Sequence, residues 1–90
     1  MDRECGTIIC EKPSGRRVKG GSACGERDRV SVPIKCPADS KPIGVSHNHP
    51  SGHPLPSLTD KQTARHHNLV VCIRTKSHGV KCYKPARRSR

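Results

Sequence analysis

The chain has 90 residues, with 18 Lys and Arg against 7 Asp and Glu and a net charge of +11. Only 30% of it is hydrophobic, with one Tyr and neither Phe nor Trp, which excludes a large self-sufficient core and leaves one domain in need of a metal, disulfides or a partner. The longest apolar run, Leu69 to Ile73, has five residues against the about 20 that span a bilayer, so no membrane partner is expected.

Asp2, Arg3 and Glu4 open the chain with charge, and the apolar stretch Thr7 to Cys10 is too short for a signal-peptide core. A cytoplasmic location is therefore expected. Cys5 to Cys10 predicts a short strand, because Thr7, Ile8 and Ile9 favour extended backbone. Residues 13–29 are rich in Gly, Lys and Arg and read as hairpin turns or a loose loop. Val30 to Ile34 alternates apolar and polar side chains and predicts a strand. Pro33 cannot donate to a ladder, which places that strand at a sheet edge. Pro37 to Pro42 reads as a loop, and Ile43 to His47 as the next strand. The three prolines and one glycine of Pro50 to Pro56 require a loop. Ser57 to Asn68 predicts a helix. Leu69 to Thr75 and Val80 to Tyr83 predict two strands joined as a hairpin at Lys76 to Gly79.

Six cysteines stand at positions 5, 10, 24, 36, 72 and 82, with no Cys-x-x-Cys pair, so a zinc ribbon is not expected. Cys10, Cys72 and Cys82 lie in apolar runs and read as small buried hydrophobes. Disulfides inside a hyperthermophile host are the alternative. Charge is uneven: residues 61–90 carry nine basic side chains and no acidic one. Residues 1–84 are expected to form the domain and 85–90 a basic, disordered tail. The basic C-terminal third could attract nucleic acid or another polyanion, or serve solubility alone.

The chemistry concentrates in His47-Asn48-His49-Pro50 followed by Pro56-Ser57-Leu58-Thr59-Asp60. Two histidines at i and i+2 of a strand share a face, so their imidazoles can converge on one metal ion. Asp60 falls on the first turn of the predicted helix, which the Pro/Gly loop can fold back onto the strand end. Two His and one Asp leave one tetrahedral position open, as catalytic zinc requires. Ser57 with Asp60 also fits a helix cap and an acid at its third position, and capping alone would explain both residues. His53, His66, His67 and His78 lie outside this pattern and read as solvated.

His-x-His-Pro, six residues, then Ser-x-x-Asp resembles the signature of the JAMM (MPN+) zinc metalloprotease superfamily. The fuller spelling His-Asn-His-Pro-Ser-Gly, then Pro-Ser-x-x-Asp, especially resembles its RadC-like branch. The resemblance spans roughly residues 4–84. It implies an α/β fold: a compact JAMM-like, cytidine-deaminase-like mixed β-sheet with one or two flanking helices. It implies zinc held by His47, His49 and Asp60, and Ser57 as donor to the developing oxyanion. It implies a glutamate on an early strand as general base. Glu4, 43 residues before His47, is preferred over Glu11 because a Gly-containing strand follows it. The activity implied is hydrolysis of peptide or isopeptide bonds by a metal-activated water, with ubiquitin-like conjugates among the substrates. A RadC-like DNA-associated protein and a noncatalytic zinc-stabilised binding module are the alternatives.

Overall fold

The computed structural model describes residues 3–27 and 30–85. Five strands and one helix follow in the order β1 (Cys5–Glu11), β2 (Arg17–Cys24), β3 (Lys41–Asn48), α1 (Leu58–His67), β4 (Val70–Thr75) and β5 (Gly79–Tyr83). The strands form one mixed sheet in the order β2-β1-β3-β4-β5. Three of the four pairings are antiparallel, and β3 and β4 run parallel. A parallel pair needs a crossover, and α1 supplies it, packing its one buried residue, Ala64, toward the core. The class is α/β. Among the described residues no helix is long and apolar enough to cross a membrane.

Alternation along β1 buries Ile8 and Cys10 on one face of the sheet. Val45 of β3 and Val71 and Ile73 of β4 continue that layer, and Ala64 closes it. The core is therefore thin and, Cys10 apart, aliphatic, with Tyr83 packed against its margin. Three disulfides reinforce it: Cys5–Cys24, Cys10–Cys36 and Cys72–Cys82. Each bridge of this kind contributes about 2–4 kcal/mol, chiefly by restricting the unfolded chain. The reading of Cys10, Cys72 and Cys82 as unpaired buried hydrophobes is thus corrected. Cys5 and Cys24 are register partners across β1 and β2, and Cys72 and Cys82 across β4 and β5.

Two further expectations change. The stretch 13–29 is not a loose loop: all of β2 falls within it, and the hairpin turn expected there joins β1 to β2 before Arg17. Between Ile9–Lys19 and Thr7–Ser22 the register shifts, so Gly20 and Gly21 together oppose Ile8. This is a β-bulge, and the glycine pair belongs to it. A Cβ on Gly20 would collide with the Lys35 carbonyl oxygen, and one on Gly21 with that of Pro33. The chain passing so close is the segment expected as an edge strand, Val30 to Ile34. It joins no ladder and instead crosses the covered face of the sheet on its way from β2 to β3. Val32, Ile34 and Cys36 pack onto the core while Ser31, Pro33 and Lys35 face outward. The Cys10–Cys36 bridge pins its far end to β1. Of the expected tail 85–90, residues 86–90 lie outside the described residues.

Candidate metal centre

β3 ends at Asn48, and its alternation turns His47 onto the covered face, where it is buried. His49, one step beyond the strand, is buried on the same side. From there the chain turns at Gly52, whose φ of 83° suits glycine. It then enters α1 through Ser57. Ser57 caps the helix: its hydroxyl oxygen accepts from the Asp60 amide at 3.1 Å, and the Asp60 carboxylate accepts from the Ser57 amide at 2.9 Å. This capping box fixes the Asp60 side chain beside the two histidines.

Glu4 arrives from the strand next door. Gly6 pairs with His47 in the antiparallel β1–β3 ladder, which brings the residues just before β1 alongside the end of β3. Gly6 has no Cβ to obstruct the approach; one built there would sit 2.6 Å from Val32 Cγ2 and 3.2 Å from His47 Cβ. Glu4 itself is only 5% exposed. Glu4, His47, His49 and Asp60 each offer one ligand atom, all within 4.8 Å of one another. Glu11 lies at the opposite end of β1, in register with Arg17 and Lys41, and takes no part.

The hydrogen bonds determine which atoms face the centre. His47 Nδ1 lies 3.0 Å from Glu4 Oε2, and His49 Nδ1 lies 2.9 Å from the His53 carbonyl oxygen. Ionised carboxylates and carbonyls only accept, so both Nδ1 atoms carry protons and donate. In the neutral rings each Nε2 then presents a lone pair. His47 Nε2 is 3.3 Å from Asp60 Oδ1, and His49 Nε2 is 3.3 Å from Asp60 Oδ2 and 3.8 Å from Glu4 Oε1. Lone pairs facing carboxylate oxygens at this depth repel unless a cation or further protons stand between them. Two carboxylates and two neutral imidazoles carry a formal charge of −2, which a divalent cation would neutralise. Zinc bonds of about 2.0–2.2 Å place neighbouring tetrahedral donors about 3.3–3.5 Å apart, close to both Nε2-to-Asp60 separations. The residues fit a metal ion.

Of the cavities that touch this group, two are each lined by two of its members. One, of about 390 Å³, is lined by Glu4, His49, His53, Leu55 and Ser57. The other, of about 400 Å³, touches His47 and Asp60 from the far side, between α1 and the crossing segment. The structure thus brings together Glu4, His47, His49 and Asp60 and sets Ser57 on the rim. His53 has a part the sequence reading missed. Its ring is exposed, but its backbone oxygen fixes the proton on His49. Nothing in the identity of residue 53 announces a role played by its main chain.

No protein-family model matches the chain, and no curated protein or solved structure matches it.

Proposed function

We propose that the chain is a zinc-dependent metallopeptidase that hydrolyses peptide or isopeptide bonds of a protein substrate, ubiquitin-like conjugates being the class its motif suggests. The convergence of His47 Nε2, His49 Nε2 and the Asp60 carboxylate, with Glu4 beside them, carries this reading. The motif's resemblance to the JAMM signature supports it. Zinc held by His47, His49 and Asp60 would polarise a carbonyl and lower the pKa of a bound water toward about 7.

The chain's own groups divide the remaining work. Glu4 Oε2 is occupied by the His47 Nδ1 proton, which anchors the carboxylate. Its Oε1 faces His49 Nε2 and would take a proton from water and return it to the leaving amine. The Ser57 hydroxyl accepts from the Asp60 amide through a lone pair, so its own O–H is free to donate. It would donate to the substrate carbonyl oxygen as negative charge develops there. His53 and Glu4 each hold a histidine in one tautomer, as carbonyls and carboxylates do behind metal-ligating imidazoles.

A zinc-stabilised binding module without hydrolytic activity is the second reading, and the Glu4–His47 bond is what favours it. That bond would also suit a carboxylate whose only task is to orient His47. Nucleic acid remains a proposed partner for the exposed cations Lys61, Arg65, Arg74 and Lys81. The three disulfides fit an oxidising compartment, and the proposed cytoplasmic location fits them only in a hyperthermophile host. Zinc-loaded protein incubated with a diubiquitin panel and a random peptide library tests the activity. Cleavage lost in Glu4→Gln is expected, and full cleavage by that variant would overturn the mechanism.

A further inference from the structure

Between the two histidines of the motif stands Asn48, whose side chain cannot join them because it emerges on the opposite face of β3. Both polar atoms of its carboxamide are nevertheless engaged. Asn48 Oδ1 accepts from the Cys5 amide at 2.7 Å, and Asn48 Nδ2 donates to the Arg3 carbonyl oxygen at 3.1 Å. These two groups flank Glu4 on either side. The last backbone pair of the β1–β3 ladder is Gly6 with His47. Beyond it the main chain keeps only its pairing with β4, where the His49 amide donates to the Arg74 carbonyl oxygen at 3.1 Å. The Asn48 amide stands in for the ladder that ends there.

The other flank of Glu4 is held by main chain. The Glu4 amide donates to the Glu26 carbonyl at 2.9 Å, and the Gly25 amide donates to the Glu4 carbonyl at 2.8 Å. Cys5–Cys24 closes the same end of the β1–β2 pair. Residue 4 is therefore gripped from both sides, by backbone toward β2 and by one side chain toward β3. The side-chain grip comes from within the metal-ligand motif itself.

We propose that Asn48 is the positioning residue for Glu4: its carboxamide clasps the backbone on both sides of Glu4 and so sets where that carboxylate meets His47 and His49. This rests on the reading of Glu4 as the proton acceptor, but it concerns geometry that exists without metal or substrate. It also gives the middle residue of His-x-His a chemical requirement. That residue must both accept and donate from one planar group, which Asn does and Asp, Ser and Ala do not.

Amide hydrogen exchange followed by NMR on metal-free, 15N-labelled protein tests this with Asn48→Ala and Asn48→Asp. The two readouts are protection of the Cys5 amide and the hydrogen-bonded His47 Nδ1 proton, with the Ile8 and Val45 amides as internal reference. In Asn48→Ala, Cys5 protection is expected to fall about tenfold, the loss of one net hydrogen bond. The His47 Nδ1 proton signal should broaden or vanish while Ile8 and Val45 stay at wild-type protection. Asn48→Asp keeps the acceptor and loses the donor, so it should retain Cys5 protection and weaken only the His47 signal. An unchanged His47 Nδ1 proton in Asn48→Ala would overturn the proposal. So would a uniform loss that includes Ile8 and Val45, since that would make Asn48 a general support of the sheet. Failure of the chain to take up zinc would defeat the hydrolytic reading and leave these exchange patterns as predicted.

Discussion

The His49 ring donates through Nδ1 to the backbone oxygen of His53 at 2.9 Å, and its Nε2 thereby faces Asp60 and Glu4. A loop carbonyl four residues downstream thus decides which nitrogen is available to a metal. Because the contact is to main chain, His53→Ala should leave zinc affinity within about twofold, whereas a loop that cannot return the carbonyl should weaken it 10- to 100-fold. Deleting Gly52 makes such a loop. Competition with a chromogenic chelator measures both, and equal affinities in the two variants would refute the assignment.

Glu4 and Asp60 should separate in mutagenesis. Asp60→Asn removes a charged donor from the centre and should abolish stoichiometric zinc binding. Glu4→Gln removes a carboxylate that stands behind His47 and should retain one zinc with affinity lowered by about 10- to 100-fold. Any hydrolysis observed for the wild type should fall at least about 100-fold in Glu4→Gln, the contribution of a positioned proton acceptor. Equal loss of zinc in both variants would make Glu4 a ligand.

Ser57 joins helix stability to the site. Ser57→Ala should cost about 1 kcal/mol in urea unfolding, because the Asp60 amide loses its cap. Ser57→Gly should recover most of that stability, since glycine caps nearly as well, while leaving no hydroxyl to donate. If Ser57 is the oxyanion donor, Ser57→Gly should remain folded and zinc-bound with kcat lowered by about 10²-fold or more. Wild-type kcat in a folded Ser57→Gly would restrict Ser57 to capping.

The crossing segment depends on Cys10–Cys36 and on the bulge glycines. Replacing Cys10 and Cys36 together by Ser should destabilise the chain by about 2–5 kcal/mol. Gly20→Ala forces a methyl against the Lys35 carbonyl and should cost about 1–3 kcal/mol. Both are read from urea midpoints. A neutral Gly20→Ala would contradict so close a passage of the segment over β2.

Much of this architecture is legible in the sequence where alternation and capping coincide. β1, β3, α1 and the β4–β5 hairpin fall within a few residues of their expected bounds, and Ser57 and Asn68 bracket the helix as its caps. The ligand candidates could be named because a strand places i and i+2 on one face. Two misreadings concern the path of the backbone. Alternation reports which side chains are buried, not which backbone groups are paired. Val30 to Ile34 alternates because it lies extended across a hydrophobic face, and no ladder is needed for that. Gly20-Gly21 suggests a turn because glycine punctuates turns, yet here it makes room for another chain to pass. Cysteine pairing is closed to the sequence, since six cysteines allow 15 connectivities; strand register selects Cys5–Cys24 and Cys72–Cys82, and the path of the crossing segment selects Cys10–Cys36. The Asn48 clasp and the His53 carbonyl use main-chain partners and leave little trace in residue identity.

The most direct test of the metal centre is zinc per chain, by elemental analysis of purified protein reconstituted with zinc and then desalted. The wild type should hold one equivalent, and both His49→Ala and Asp60→Ala should hold none. Zinc retained in full by both variants, or no zinc in the wild type after reconstitution, would contradict the His47, His49 and Asp60 centre and the hydrolytic function built on it.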